Sequence, residues 1–158
     1  MFGSSKGTLA SVVVEYFEAD ELKYREEEID GKPIFRIGFS GKNSSYRGIV
    51  RVNEELFQVT IYFLLESNVP EEKRHIAAEY LTRANYGLII GNFEMDFSDG
   101  EVRYKTSIDV EGGQFTVPMV KTLFAANLLT LDRYYPGLMK VLWSDMDPEA
   151  AITEIEAE

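Results

Sequence analysis

Apolar residues at Leu9, Val12, Val13, Phe17, Ala19 and Leu22 recur at three- and four-residue intervals and predict an amphipathic helix over residues 8 to about 24. The charged run at residues 26–30, followed by Gly31 and Pro33, breaks it. Phe35, Ile37 and Phe39 then alternate with Arg36 and Gly38, the period-two pattern of a half-buried strand over 34–39. Residues 46–52 and 57–65 alternate in the same way and form a hairpin if 53–56 make the turn. Val52 then falls opposite Phe57, Val50 opposite Val59 and Tyr46 opposite Phe63 on one face, with Arg51 opposite Gln58 on the other. Ile49, Tyr62 and Leu64 interrupt the polar face, which calls for a helix or a partner to cover them.

Asn68 stands three residues before Glu71, the spacing of a capping box, and Pro70 lies in the first turn of a second helix. Ile76, Ala77, Tyr80, Leu81 and Ala84 form its apolar stripe, and Gly87 is its stop. Residues 92–110 alternate around Asp99-Gly100. With that pair as a two-residue loop, Phe97 faces Val102, Met95 faces Tyr104 and Phe93 faces Thr106. On the wet side Asp96 faces Arg103 and Glu94 faces Lys105. Thr116 and Pro118 start a third helix with Val120, Leu123, Phe124, Asn127, Leu128 and Leu131 on one side. Pro136 and Gly137 interrupt or kink it after Tyr135, and Leu138 to Trp143 resume the helical spacing. Asp147 and Pro148 start a short acidic helix.

The resulting order, αβββαββα, describes an α+β fold in which an antiparallel sheet packs one face against helices. How the two strand groups join is left open. The chain of 158 residues reads as one domain over 1–158, with 145–158 an acidic C-terminal helix or tail.

Composition adds that the core is rich in Phe and Tyr, since 45% of residues are hydrophobic and 13% aromatic. The formal net charge of -11 argues against a nucleic-acid or anionic-membrane partner and favours solubility or a basic partner. There is no cysteine, so disulfides, thiolate nucleophiles and Cys-ligated metals are excluded. The apolar run before Glu15 is too short for a leader, and no stretch reaches the roughly 18 residues of a span. A cytoplasmic protein is expected.

The candidate chemistries fail on spacing. If Gly100 is the glycine of a calcium loop, Met95 and Phe97 stand where oxygen ligands belong. In "SGKNSS", residues 40–45, Arg36 stands at the first P-loop glycine position and a strand follows. "GFSG" is one residue short of a nucleophile elbow. His75, the only histidine, can serve as a base only if it is buried and hydrogen-bonded to a carboxylate such as Glu71. No catalytic, cofactor or metal residues are therefore assigned. The remaining candidates are partner anchors: Ile49, Tyr62 and Leu64 on the mixed sheet face, and Tyr134, Tyr135 and Trp143 around the break in the third helix. An alternative is a small-molecule sensor with a pocket between sheet and helices, lined by Tyr62, Tyr80 or Trp143.

"LTRANYGLIIGNFEMDFSDGEVRYKTSIDVEG", residues 81–112, resembles the YbjN family, bacterial proteins described as sensory transduction regulators. "ANLLTLDRYYPGLMKVLWSDMDPEAAITEIE", residues 126–156, is similar to the C-terminal half of its members. The resemblance implies a fold like that of the type III secretion chaperones, which are small, acidic, cytosolic and commonly dimeric, and hold polypeptides without chemistry. It thus implies a non-enzymatic protein-binding regulator or chaperone-like adaptor, a homodimer, with no catalytic residue to carry over. Asn85, Tyr86, Gly91 and Gly100 of the motif read as helix-end or turn residues.

Overall fold

A computed structural model describes residues 7–158; residues 1–6, on which part of the leader argument rests, lie outside the described residues. The elements are α1 (Leu9–Ala19), β1 (Tyr24–Ile29), β2 (Lys32–Ser40), β3 (Ser45–Asn53), β4 (Gln58–Leu65), a 3-10 turn (Glu71–Lys73) running into α2 (Arg74–Asn85), β5 (Asn92–Met95), β6 (Val102–Asp109), α3 (Val117–Trp143) and α4 (Pro148–Glu156). The six strands form one antiparallel sheet in the order β1-β2-β3-β4-β6-β5. The α+β class and the antiparallel sheet agree with the sequence reading. The two strand groups join through β6, which pairs with β4 so that Gln58 meets Asp109 and Ile61 meets Thr106.

One strand more than expected is present. The first helix ends at Ala19 because Glu21, at φ 53°, closes a Schellman motif in which Leu22 N–H donates to the Phe17 carbonyl (2.8 Å) and Glu21 N–H to that of Glu18 (3.1 Å). The chain then extends as β1, whose Tyr24 ring packs on Phe17 and Phe35. Asp30 and Gly31, both at positive φ, make the tight turn to β2, with Ile29 opposite Lys32. That combination marks a type I′ hairpin.

Two registers differ from expectation by two residues, so each residue keeps its face. In the β3–β4 hairpin the turn falls one residue later, and Val52 meets Val59, Val50 meets Ile61 and Tyr46 meets Leu65. Phe57 absorbs the shift at φ 54°. In the β5–β6 hairpin Met95 meets Val102, Phe93 meets Tyr104 and Glu94 meets Arg103. Asp96 turns away to accept from the Ser98 amide at 2.8 Å, which opens a longer loop. Gly100, at φ 80°, docks its carbonyl on the Val69 amide (2.8 Å). Asn68 donates to the Asp99 carbonyl (3.2 Å) instead of capping α2.

The inward face of the sheet meets the helices around Phe124, whose ring lies edge-on to Phe63, Phe17 and Phe39. Glu54, in the β3–β4 turn, accepts from the Leu9 and Ala10 amides (3.0 and 2.9 Å), so a carboxylate neutralises free donors at the positive end of α1.

The third helix is not interrupted: α3 runs 27 residues through Pro136. Pro136 has no N–H for the Asp132 carbonyl four residues back, and the Asn43 side-chain amide donates there instead, at 2.8 Å. The Asp132 carboxylate accepts from the Lys42 and Asn43 amides (both 2.9 Å) and from the Tyr46 hydroxyl (2.7 Å). Gly137 leaves room for the Tyr80 hydroxyl, which donates to the Tyr134 carbonyl (2.7 Å). The Pro-Gly pair is thus where α3 is clasped by the β2–β3 loop and by α2.

Two predictions follow from this clasp. Burial pushes the Asp132 carboxyl up, but the Tyr46 hydroxyl and the Asn43 and Lys42 amides outweigh it and hold its pKa below the ordinary carboxylate value. Its charged form therefore contributes stability above the unfolded-state pKa of about 4, and this contribution is lost as pH falls through the lower folded value. Asp132→Asn sets an amide against the Lys42 donor and should cost about 1–3 kcal/mol at neutral pH. Urea titrations across pH should show the gap to wild type closing below about pH 4. Gly137→Ala should destabilise by about 1–3 kcal/mol, although alanine is the better helix former by about 1 kcal/mol, because its methyl meets the Tyr80 hydroxyl. Thermal melts should show Tyr80→Phe recovering part of that loss.

Candidate functional site

The sheet has one face on the helices and one in solvent. Alternation along β3 buries Tyr46, Gly48, Val50 and Val52 and leaves Arg47, Ile49 and Arg51 outward. Strand pairing extends these into three rows across the outer face. One runs Arg25, Arg36, Ile49, Tyr62, Lys105, Asn92; a second runs Gly38, Arg47, Leu64, Arg103, Glu94; the third runs Glu27, Ile34, Arg51, Thr60, Ser107.

Tyr62 sits at the centre. The Arg103 guanidinium lies over its ring at 4.1 Å from the centroid and that of Arg51 at 5.7 Å, a cation–π arrangement. Leu64 is buried between its cross-strand neighbours Arg47 and Arg103, while Ile49 is half-buried. The structure therefore brings together the three sheet residues singled out from the sequence.

Carboxylates bracket the face. Glu27 binds Arg25 and Arg36, each at 2.7 Å, and the hydrogen bond from Arg36 holds its pKa below the usual value. Glu94 binds Arg103 at 3.2 Å and Lys105 at 3.5 Å. Between these pairs Arg47 and Arg51 are exposed and have no carboxylate partner among the described residues. A groove of about 530 Å³ lined by Ile34, Arg51, Thr60 and Tyr62 opens on this face.

The helix residues do not join this site. Tyr134 is buried and donates to Glu156 at 2.9 Å, tying α3 to α4; burial and that carboxylate push its hydroxyl up to about 12. Tyr135 packs edge-on against Tyr46. Trp143 is 60% exposed at the end of α3 under the Lys73 ammonium. Tyr80 is core, so Tyr62, Tyr80 and Trp143 line no common pocket. His75 is exposed beside Phe97 and makes no hydrogen bond to a carboxylate among the described residues. The arrangement that the catalytic reading of His75 requires is not formed. Among the described residues no cluster of three His, Asp or Glu side chains gathers to hold a metal ion, and no helix is long and apolar enough to cross a membrane.

A second surface was not singled out by the sequence reading. Tyr86 is 91% and Ile89 95% exposed, with Ile90 beside them, in the loop between α2 and β5. The loop is pinned at both ends. Asn85 holds the Phe93 amide and carbonyl (2.6 and 3.1 Å), and the Tyr104 hydroxyl donates to the Ile90 carbonyl (2.7 Å). An apolar groove of about 470 Å³ lined by Ile89, Ile90, Ile108, Pro118 and Met119 adjoins it. The signal available in sequence was an apolar run, Leu88 to Ile90, placed between a helix stop and a strand.

A family model described as "YbjN: Putative bacterial sensory transduction regulator" matches residues 10–139, from α1 through most of α3. A comparison with curated proteins finds no match. The match takes in the open sheet face, the 86–90 loop and the clasp around Asp132, and on that extent the chain belongs to the YbjN family.

Proposed function

We propose that this YbjN-family chain is a cytoplasmic, non-enzymatic regulator that works by binding polypeptides, a chaperone-like adaptor, and that it acts as a homodimer. The observation that carries the reading is the pinned apolar loop. Tyr86 and Ile89 are almost wholly in solvent, and burying one such side chain is worth about 1.5–3 kcal/mol, a driving force that a second protein surface would use. A rigid loop adds little ordering cost on association. This loop with its groove is the contact between two copies, and the outer sheet face around Ile49, Tyr62 and Leu64 remains for the regulated partner. The family description as a regulator supports the same reading.

Sedimentation velocity at micromolar concentration should give twice the 18.0 kDa chain mass, and Ile89→Asp should give the single mass with an unchanged circular dichroism spectrum. A monomeric wild type removes the dimer. A photo-crosslinking amino acid at Tyr62 should trap a discrete polypeptide in native cells; a featureless pattern there argues against an adaptor.

A further inference from the structure

The chain is acidic, yet the open face of its sheet is basic. The three central rows carry Arg25, Arg36, Arg47, Arg51, Arg103 and Lys105 against only Glu27 and Glu94, in a protein of net charge -11. Strand alternation gathers these cations, which stand far apart in the sequence. Glu27 and Glu94 each offset only one of the two cations they bind, so the face keeps a surplus of positive charge, and Arg47 and Arg51 on β3, with half-buried Ile49 between them, are its cations without a carboxylate partner among the described residues.

We infer that this face binds an acidic, extended polypeptide segment of the form Glu-x-hydrophobic-x-Glu, its two carboxylates on Arg47 and Arg51 and its apolar side chain on Ile49. The inference rests on the reading of this face as the partner surface. Arg47 and Arg51 are four residues apart along a strand, about 13 Å at 3.3 Å per residue. An extended partner segment repeats the same distance between its first and fifth residues, which with the third point to one side. Guanidinium forks take carboxylates in bidentate fashion. A nucleic-acid backbone fits less well, since it gains affinity only from many neutralised charges and the chain as a whole, at net charge -11, repels a polyanion. A second copy of the same face is the poorer occupant, because a two-fold contact centred on Ile49 sets Arg47 and Arg51 of one copy among the arginines of the other.

The test is an NMR titration of the isotope-labelled full chain with a Gly-Ser-flanked peptide containing Glu-Ser-Leu-Ser-Glu. Saturable shifts should be confined to the outer residues of β3, β4 and β6, and binding should weaken several-fold from about 50 to about 300 mM salt. The exposed double variant Arg47→Gln/Arg51→Gln should lose at least about tenfold in affinity while keeping its dispersed spectrum. Arg51→Lys, which keeps the charge but not the fork, should lose less. Lys121→Glu, a control on the exposed side of α3, should bind as wild type does. Absence of saturable shifts, or equal binding of a Gln-Ser-Leu-Ser-Gln peptide, overturns the inference. Tighter binding of single-stranded oligothymidylate, lost in the double variant, overturns it in favour of nucleic acid. If a polypeptide crosslinks at Tyr62 in cells equally well in the double variant, the adaptor reading stands and this charge-based recognition falls.

Discussion

The structure turns on one buried carboxylate. Asp132, in the long central helix, holds the loop between β2 and β3 by two amides and a tyrosine hydroxyl. Hydrogen bonds to a charged acceptor contribute about 1.5–3 kcal/mol each, and the burial of Asp132 would be costly without them. The bonds fix the edge of the β2–β3 hairpin against α3. That hairpin carries Arg47, Ile49 and Arg51 on its other side, so the placement of the open face depends on a contact made beneath it. Burial of the Tyr46 hydroxyl, which pushes its pKa up, keeps it a proton donor to Asp132 across the physiological range.

Faces were legible in the sequence; turns were less so. Period-two alternation assigned the residues of the five expected strands to their sides, and a register slip of two residues leaves that assignment intact within the paired segments. The Asp-Gly signal was applied to the wrong pair. Asp30-Gly31 makes the two-residue turn, whereas Asp99-Gly100 lies in a longer loop because Asp96 caps Ser98 and Gly100 docks on Val69. Local composition cannot distinguish the two, since the difference lies in a contact 31 residues away. Strand β1 was hidden because it is an edge rich in glutamate, as edges often are. Pro136 and Gly137 read as a break because the compensating donor, Asn43, and the close neighbour, Tyr80, come from other elements.

The candidate site was half legible. Ile49, Tyr62 and Leu64 violated the expected polarity of their face and could be found for that reason. The arginines around them conformed to it and attracted no notice. Net charge added to the concealment, because an average over the whole chain pointed toward a basic partner while the surface that remains open has the opposite sign. The aromatic residues of α3 sort differently: Tyr134 is a bolt to α4, and Trp143 is left at the surface. Nothing in their helical spacing separates those fates.

Asn43 meets the Asp132 backbone across 89 residues of chain. A helix assembles quickly from neighbours, but this one stays a bond short at its midpoint until a distant loop arrives, and contacts of such separation carry a large loop-closure cost. The clasp therefore needs the β2–β3 loop and the middle of α3 both in place before it contributes. Interactions absent from the transition state govern how fast a protein comes apart rather than how fast it assembles. If the bond from Asn43 to Asp132 forms after the transition state, it slows unfolding and leaves the rate of folding unchanged.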